Sequence, residues 1–353
     1  MKMNFLKAVI VNLALLSIPW NAGAQDFGPW QTPTNLGSTV NSRCNEMHPT
    51  LSKDGLTLIF SSNRPFDHVS VSTADCLPAL HLWGAQRAAI GDPWSAPQPL
   101  PIDLPAASHF EDHAPNLSTD GHWLIFHSQR PGDTDHPSCN GGGYRELWAS
   151  HRQDSRNLLG WETPVNLGCT LNIPFADDAG PNIWEDSASG AILLYFTRDL
   201  TPLGPGTDAA GNGFDVYVTS CTSDISSCIR QNLWNAAAFE ANLSSSARDT
   251  RTGIRRRDGL EMLITTNRAG SVGNLDLWVS SRASALDAWP APVDLNLDNA
   301  DKGGASIPNS TANDGGGVLS WDGETMFFYS NKAGGYGGND LYITTRQKSR
   351  GAN

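Results

Sequence analysis

Basic charge is scarce in this chain: 24 Lys and Arg stand against 36 Asp and Glu in 353 residues. So acidic a chain is poorly suited to neutralising phosphates, which excludes nucleic acid as an expected partner. After one N-terminal apolar run no further stretch is long enough to cross a bilayer, so no membrane span is expected in the mature chain. There is no Cys-x-x-Cys pair, no serine nucleophile elbow, no P-loop and no dinucleotide fingerprint, which leaves those chemistries without a motif. Helical periodicity longer than a turn is missing too. What the sequence does have is 34 Gly, 22 Pro and 12 Trp, a composition that suits many short strands joined by tight turns.

The apolar run lies in MKMNFLKAVIVNLALLSIPWNAGAQ, behind Lys2 and Lys7 and ahead of Ala22-Gly23-Ala24. This pattern predicts a secretory signal peptide over residues 1–24, followed by a single domain over residues 25–350. Its removal takes away two lysines and no acids, moving the formal charge from −12 to −14. A secreted or periplasmic location follows, where six cysteines would pair in an oxidising compartment. Cys221 and Cys228 are close enough to staple one loop. Cys76 and Cys139 fall in equivalent loops of neighbouring repeats, and Cys44 and Cys169 in equivalent lead-in segments, so the remaining connectivity stays open.

The chain repeats itself. NEMHPTL (45–51), EDHAPNL (111–117), DDAGPNI (177–183), RDTRTGI (248–254) and NDGGGVL (313–319) each open a unit with an acid, at Glu46, Asp112, Asp178, Asp249 and Asp314. A period of 65 to 71 residues means stacked or radially arranged units. In each unit a first strand ends in a turn such as LSKDG (51–55), LSTDG (117–121), RRRDG (255–259) or LSWDG (319–323). Asp-Gly suits a tight hairpin, because Gly accepts positive φ and Asp bonds nearby amides. The second strand closes on Arg64, Arg130, Arg198, Arg268 or Lys332, the third carries Trp or Tyr, and the fourth opens with Trp. Four strands in each of five units predict an all-β, five-bladed propeller. The last unit lacks its Trp strand while the mature N-terminus supplies one, WQTPTNLG (30–37), so the N-terminal strand should close the last blade. A monomer is expected.

Residues 51–64, 117–130, 276–278, 319–332 and 340–342 carry Leu-Ser-x-Asp-Gly, an apolar strand, Ser-x-Arg and Asp-Leu-Trp or Tyr. In these the chain resembles the TolB-type, WD-like propeller repeat. The resemblance covers nearly the whole mature chain and implies a propeller used for ligand binding or in the cell envelope.

Departures from the repeat point to a site. From the base closing the second strand to the third-strand aromatic there are 18 or 19 residues in units one to three, but 10 in units four and five. The segment 298–314 is also stretched, rich in Gly, Ser and Asn, and reads as a flexible flap. Long loops on one face of a rigid scaffold describe a ligand cleft. The same sector gathers His48, His81, His113, His127, the doubled acids Glu111-Asp112 and Asp177-Asp178, and faces Arg251 of an arginine-rich unit four.

Carboxylates across such a funnel predict a glycan-acting hydrolase, with Glu46 and Glu111 or Asp112 as acid and base, and Asp178 tuning a neighbour. His48, Arg64, His113, Arg130, Asp177, Arg251 and Asp314 are the candidate binding residues for a glycan or small molecule. Trp and Tyr on the rim would stack on sugar rings. A bland reading stands beside this, in which each opening acid simply pairs with a nearby Arg or amide. No cofactor is required; Ca²⁺ on the axis, or a transition metal with His48 and His113, gives the metal-dependent alternative.

Overall fold

The structure, a computed structural model, describes residues 27–67, 73–102, 110–132, 137–200, 213–305 and 307–349. The expected leader lies outside the described residues. The chain first lays down β1 (Thr34–Asn35). Blade one is β2 (Glu46–Leu51), β3 (Thr57–Ser62), β4 (His81–Gln86) and β5 (Gln98–Pro99). Blade two is β6 (Asp112–Leu117), β7 (Trp123–Ser128), β8 (Glu146–His151) and β9 (Val165–Asn166). Blade three is β10 (Asp177–Glu185), β11 (Ile192–Asp199), β12 (Phe214–Cys221) and β13 (Ala238–Phe239). Blade four is β14 (Asp249–Ile254), β15 (Glu261–Thr266), β16 (Asp276–Ser281) and β17 (Val293–Asp294). Blade five is β18 (Asp314–Leu319), β19 (Thr325–Ser330) and β20 (Asp340–Thr345), and β1 joins it through Thr34↔Ile343 and Asn35↔Tyr342. The five-bladed ring closed by its N-terminal strand is therefore as the sequence predicts.

The strands are held by a repeated set of fastenings. Ser-x-Asp-Gly works as a cap: Asp54 accepts from Ser52 Oγ at 2.5 Å and Leu56 N at 3.0 Å, and Asp120 and Asp322 do the same in their blades. The Arg that follows the third strand then donates Nε to the carbonyl of that hairpin's glycine, in the pairs Arg87–Gly55, Arg152–Gly121, Arg282–Gly259 and Arg346–Gly323. Each of these guanidiniums also lies over a fourth-strand tryptophan, Trp94, Trp161, Trp289 or Trp30. Five apolar clusters, each shared by two neighbouring blades, form the seams of the ring; four hold one of these tryptophans, and the seam of blades two and three holds Trp234.

Blade three has Cys221 where the others have this Arg, and Cys221 pairs with Cys228, as the spacing predicts. The other bonds are Cys44–Cys76, within blade one, and Cys139–Cys169, which ties a blade-two loop to the lead-in of blade three. Two short helices, α1 (Ile225–Arg230) and α2 (Leu295–Asp301), exceed the single turn expected. The lead-in to blade five also differs from a loose flap. It begins in α2, and Asn309 anchors it to the Leu277 carbonyl at 2.8 Å and to Asp294 at 3.0 Å.

The arginines of blade four divide, with Arg248 and Arg257 exposed and the others turned inward. Arg255 and Arg256 are buried, as is Arg251. Arg251 reaches across to the Pro115 carbonyl of blade two at 2.9 Å. Arg256 bonds the Leu117 carbonyl at 2.9 Å and the Leu51 carbonyl of blade one at 2.5 Å. Among the described residues no helix is long and apolar enough to cross a membrane.

Candidate functional site

Every inner strand breaks register near its start. In four blades the bulge holds a residue with left-handed φ: His48 at 49°, Ala114 at 56°, Gly180 at 57° and Gly316 at 63°. Such bulges re-aim side chains, and a non-glycine residue there carries strain of about 1–3 kcal/mol. Blade five supplies glycine where bulk would collide, since a Cβ on Gly316 would sit 3.0 Å from His48 Nδ1 and 2.9 Å from the Tyr329 ring. The bulged strands bring three imidazoles together. The His48 and His113 rings meet edge to face at 4.5 Å, and His113 and His127 at 5.1 Å, with Tyr329 5.0 Å from His48.

The opening acids do not share this space. Glu46 is fully buried, bonded to Arg64 at 2.9 Å and to Ser42 N at 2.7 Å. Asp112 meets Arg130 at 2.7 Å, Asp178 meets Arg198 at 2.6 Å, and Asp249 meets Arg268 at 2.5 Å. Asp314 instead accepts from Ser310 N and Oγ, at 2.6 and 2.7 Å. The same guanidiniums cap the carbonyls of Val40, Ile102, Leu171 and Leu243 and lie over third-strand aromatics. Glu46, Asp112 and Asp178, expected to work as acid, base and tuner, are thus held as blade fastenings, and Arg64 and Arg130 are their partners. Burial pushes the Asp178 carboxyl up to about 6, Arg198 offsetting only part of it. The third-strand tryptophans Trp83 and Trp148 are buried beneath these arginines.

The half-open acids are the residues just before the opening positions. Blades one and five have Asn there, and Asn45 and Asn313 accept the backbone N–H of Asn339 and Leu275 on the preceding blade. Blade three keeps this clasp but makes it acidic: Asp177 accepts Arg145 N at 2.7 Å. The Arg145 side chain then bridges Asp177 and Glu111, at 3.3 Å to each. Glu111 also accepts from His113 Nδ1 at 2.8 Å. Beyond these, Phe214 sits between the guanidiniums of Arg145 and Arg248, 6.0 Å from both. Sequence reasoning missed Arg145. Its signal was a departure from the repeat, since Leu80, Phe214, Leu275 and Asn339 occupy its position elsewhere.

Burial opposes charge on Glu111, but the His113 hydrogen bond, and then positive neighbours that include Arg145, outweigh it and hold its pKa well below the usual range. His113 turns Nδ1 to Glu111, and its other ring nitrogen, Nε2, is buried and unpartnered. Burial first, and then neighbouring cations, lower His48 and His127 well below the ordinary value, so both are neutral. His127 Nδ1 accepts Gly180 N–H at 3.2 Å, so its own proton sits on the unpartnered Nε2. His48 Nδ1 and Arg251 Nη1 are also buried without partners. The site therefore offers acceptors and donors side by side, which suits hydroxyl groups, each of them donor and acceptor at once.

Glu111, His113 and His127 place ligand atoms within 4.8 Å of one another, a spacing that could seat a metal. The donor set fits poorly: Glu111 is already engaged by Arg145 and His113, and the outward nitrogen of His127 bears a proton, whereas a metal needs lone pairs. On the opposite, hairpin face a cavity of about 1090 Å³ is lined by Lys53, Asp54, Arg87, Asp120 and Trp321. Its aspartates cap their own turns, and none of the unpartnered buried atoms lines it.

The whole ring superposes on solved glycoside hydrolases. The catalytic domain of a GH62 α-L-arabinofuranosidase from Coprinopsis cinerea matches with TM-score 0.52 and 14% identity, over 91% of this chain and 97% of that one. An α-L-arabinofuranosidase from Lactobacillus brevis matches with TM-score 0.51 and 12% identity, over 88% and 92%. A family 117 glycoside hydrolase from Zobellia galactanivorans matches with TM-score 0.50 and 11% identity, over 94% and 92%. Likeness at such identities is one of fold. No family model and no curated protein matches the sequence. The resemblance to TolB-type repeats is accordingly corrected: the propellers this chain superposes on are glycoside hydrolases. The shared Ser-x-Asp-Gly residues are hairpin-capping chemistry, which any four-stranded blade can use.

Proposed function

We propose that the chain is an exported, glycan-acting hydrolase whose centre is the axial mouth of blades one to three. The observation that carries this reading is the Glu111–His113 pair, whose unpartnered Nε2 faces other unpaired buried donors and acceptors. In this reading His113 Nε2 takes the proton of the attacking water, and Glu111 steadies the imidazolium that forms. Asp177, once Arg145 releases it and it takes a proton from solvent, gives that proton to the leaving oxygen. The shared fold of arabinofuranosidases and a family 117 hydrolase supports a glycan as the substrate class. Three disulfides support export to an oxidising compartment.

The test is turnover and binding by the mature protein on a polysaccharide panel, with and without chelator. Glu111→Gln and His113→Gln are expected to lower turnover by about 100-fold or more with the fold intact. Asp249→Asn should change stability more than rate, and chelator should change nothing. Wild-type rates in both Glu111→Gln and His113→Gln would remove the proposed base. Binding without turnover would make the protein a glycan receptor.

A further inference from the structure

Phe175 is the odd residue of the mouth. Its φ of 64° lies in the left-handed region, where a bulky side chain is a genuine outlier. It is also 57% exposed, so no burial repays the strain. Its backbone is held from outside: Phe175 N donates to Asn140 Oδ1 at 2.7 Å, and Asn140 is itself fixed to Glu146 at 2.7 Å. The Cys139–Cys169 bond joins these two segments. Across the join the Tyr144 ring meets Phe175 edge on, with centroids 6.1 Å apart. Tyr144 adjoins Arg145, and Phe175 lies two residues before Asp177, the two groups paired at the mouth.

We propose that Phe175, braced by Tyr144, is a stacking platform for a sugar ring of the glycan at the lip of the axial site. Backbone strain retained at an exposed aromatic marks a position kept for contact with a ligand rather than for stability. A flat apolar face beside hydroxyl-binding polar groups matches the two surfaces of a pyranose or furanose ring. The proposal rests on the glycan reading above and adds the residue that fixes where the chain of sugars leaves the mouth. Its neighbours explain why the platform holds still: a disulfide, an amide clasp and an edge-on ring leave Phe175 little freedom.

The experiment is titration calorimetry with soluble arabino- and xylo-oligosaccharides, alongside thermal melting, on wild type, Phe175→Asn and Phe175→Tyr. Asn accepts left-handed φ, so Phe175→Asn should melt about 2 °C higher while binding roughly 5- to 10-fold more weakly. Phe175→Tyr should bind as wild type does. Phe175→Asn with unchanged affinity would overturn the platform alone. So would a Phe175→Asn protein that melts lower, or a Phe175→Tyr protein that fails to bind, because either makes Phe175 structural. A wild type that binds neither series would instead overturn the glycan reading, and the platform with it.

Discussion

At the scale of single residues, carboxylates in this protein divide by what faces them. Those met by guanidinium in a sealed seam hold blades, and those half open at the mouth are the ones the proposed function uses. Glu261 is an example of the first kind, buried between Arg346 at 2.5 Å and Arg255 at 2.8 Å. Burial opposes its charge, but Arg346 and then Arg255 more than offset this and lower its pKa from the usual 4.5. A lowered carboxylate contributes stability above its unfolded pKa and loses it as pH falls through the folded one. Glu261→Gln should therefore cost about 3 kcal/mol at neutral pH, leaving two buried cations short of a partner. By urea denaturation the gap from wild type should narrow as pH falls below the ordinary glutamate range and through the lowered folded pKa of Glu261. A gap that stays constant with pH would show that the carboxylate charge is not what matters there.

At the scale of elements, the fourfold Arg–glycine–tryptophan staple and the one disulfide that replaces it do the same work. In blade three Cys221 ends β12 at the Arg position, and Cys228 in α1 reaches back to it. Cys221→Ser with Cys228→Ser should cost about 2 kcal/mol, the effect of closing so short a loop, read by denaturant melting. A double variant as stable as wild type would mean that blade three needs no staple. The strands themselves were legible in the sequence, because Asp-Gly turns and Trp openings recur in it. The proposed site was legible only in its sector. Repetition marked the five opening acids, yet the Arg partners of four of them and the Ser partner of Asp314 lie in the same repeat, so the acids were saturated by the pattern that made them conspicuous. His113, Glu111, Asp177 and Arg251 stood out as departures and do lie at or near the axis. Phe175 gave no signal, since its meaning is a φ angle and an exposure that no spacing encodes.

At the scale of the molecule, the ring depends on a short strand from the far end of the chain. Trp30 is 1% exposed and packs beneath Arg346, and β1 covers the edge of β20. Deleting residues 25–38 should cost roughly 3 kcal/mol or more and leave an edge that invites association. Thermal melting and size-exclusion chromatography would check both; a truncated protein that melts like wild type and stays monomeric would refute the closure. The arginines that cross the centre have a different consequence. In a repeat array whose units touch only their neighbours, stability is a sum of local terms, and a weak unit can open while the rest persists. Arg251 and Arg256 join blade four to blades one and two, which are not its neighbours. These chords turn a necklace into a wheel with spokes, in which no blade can melt without pulling on the opposite side, so the five units should unfold as one.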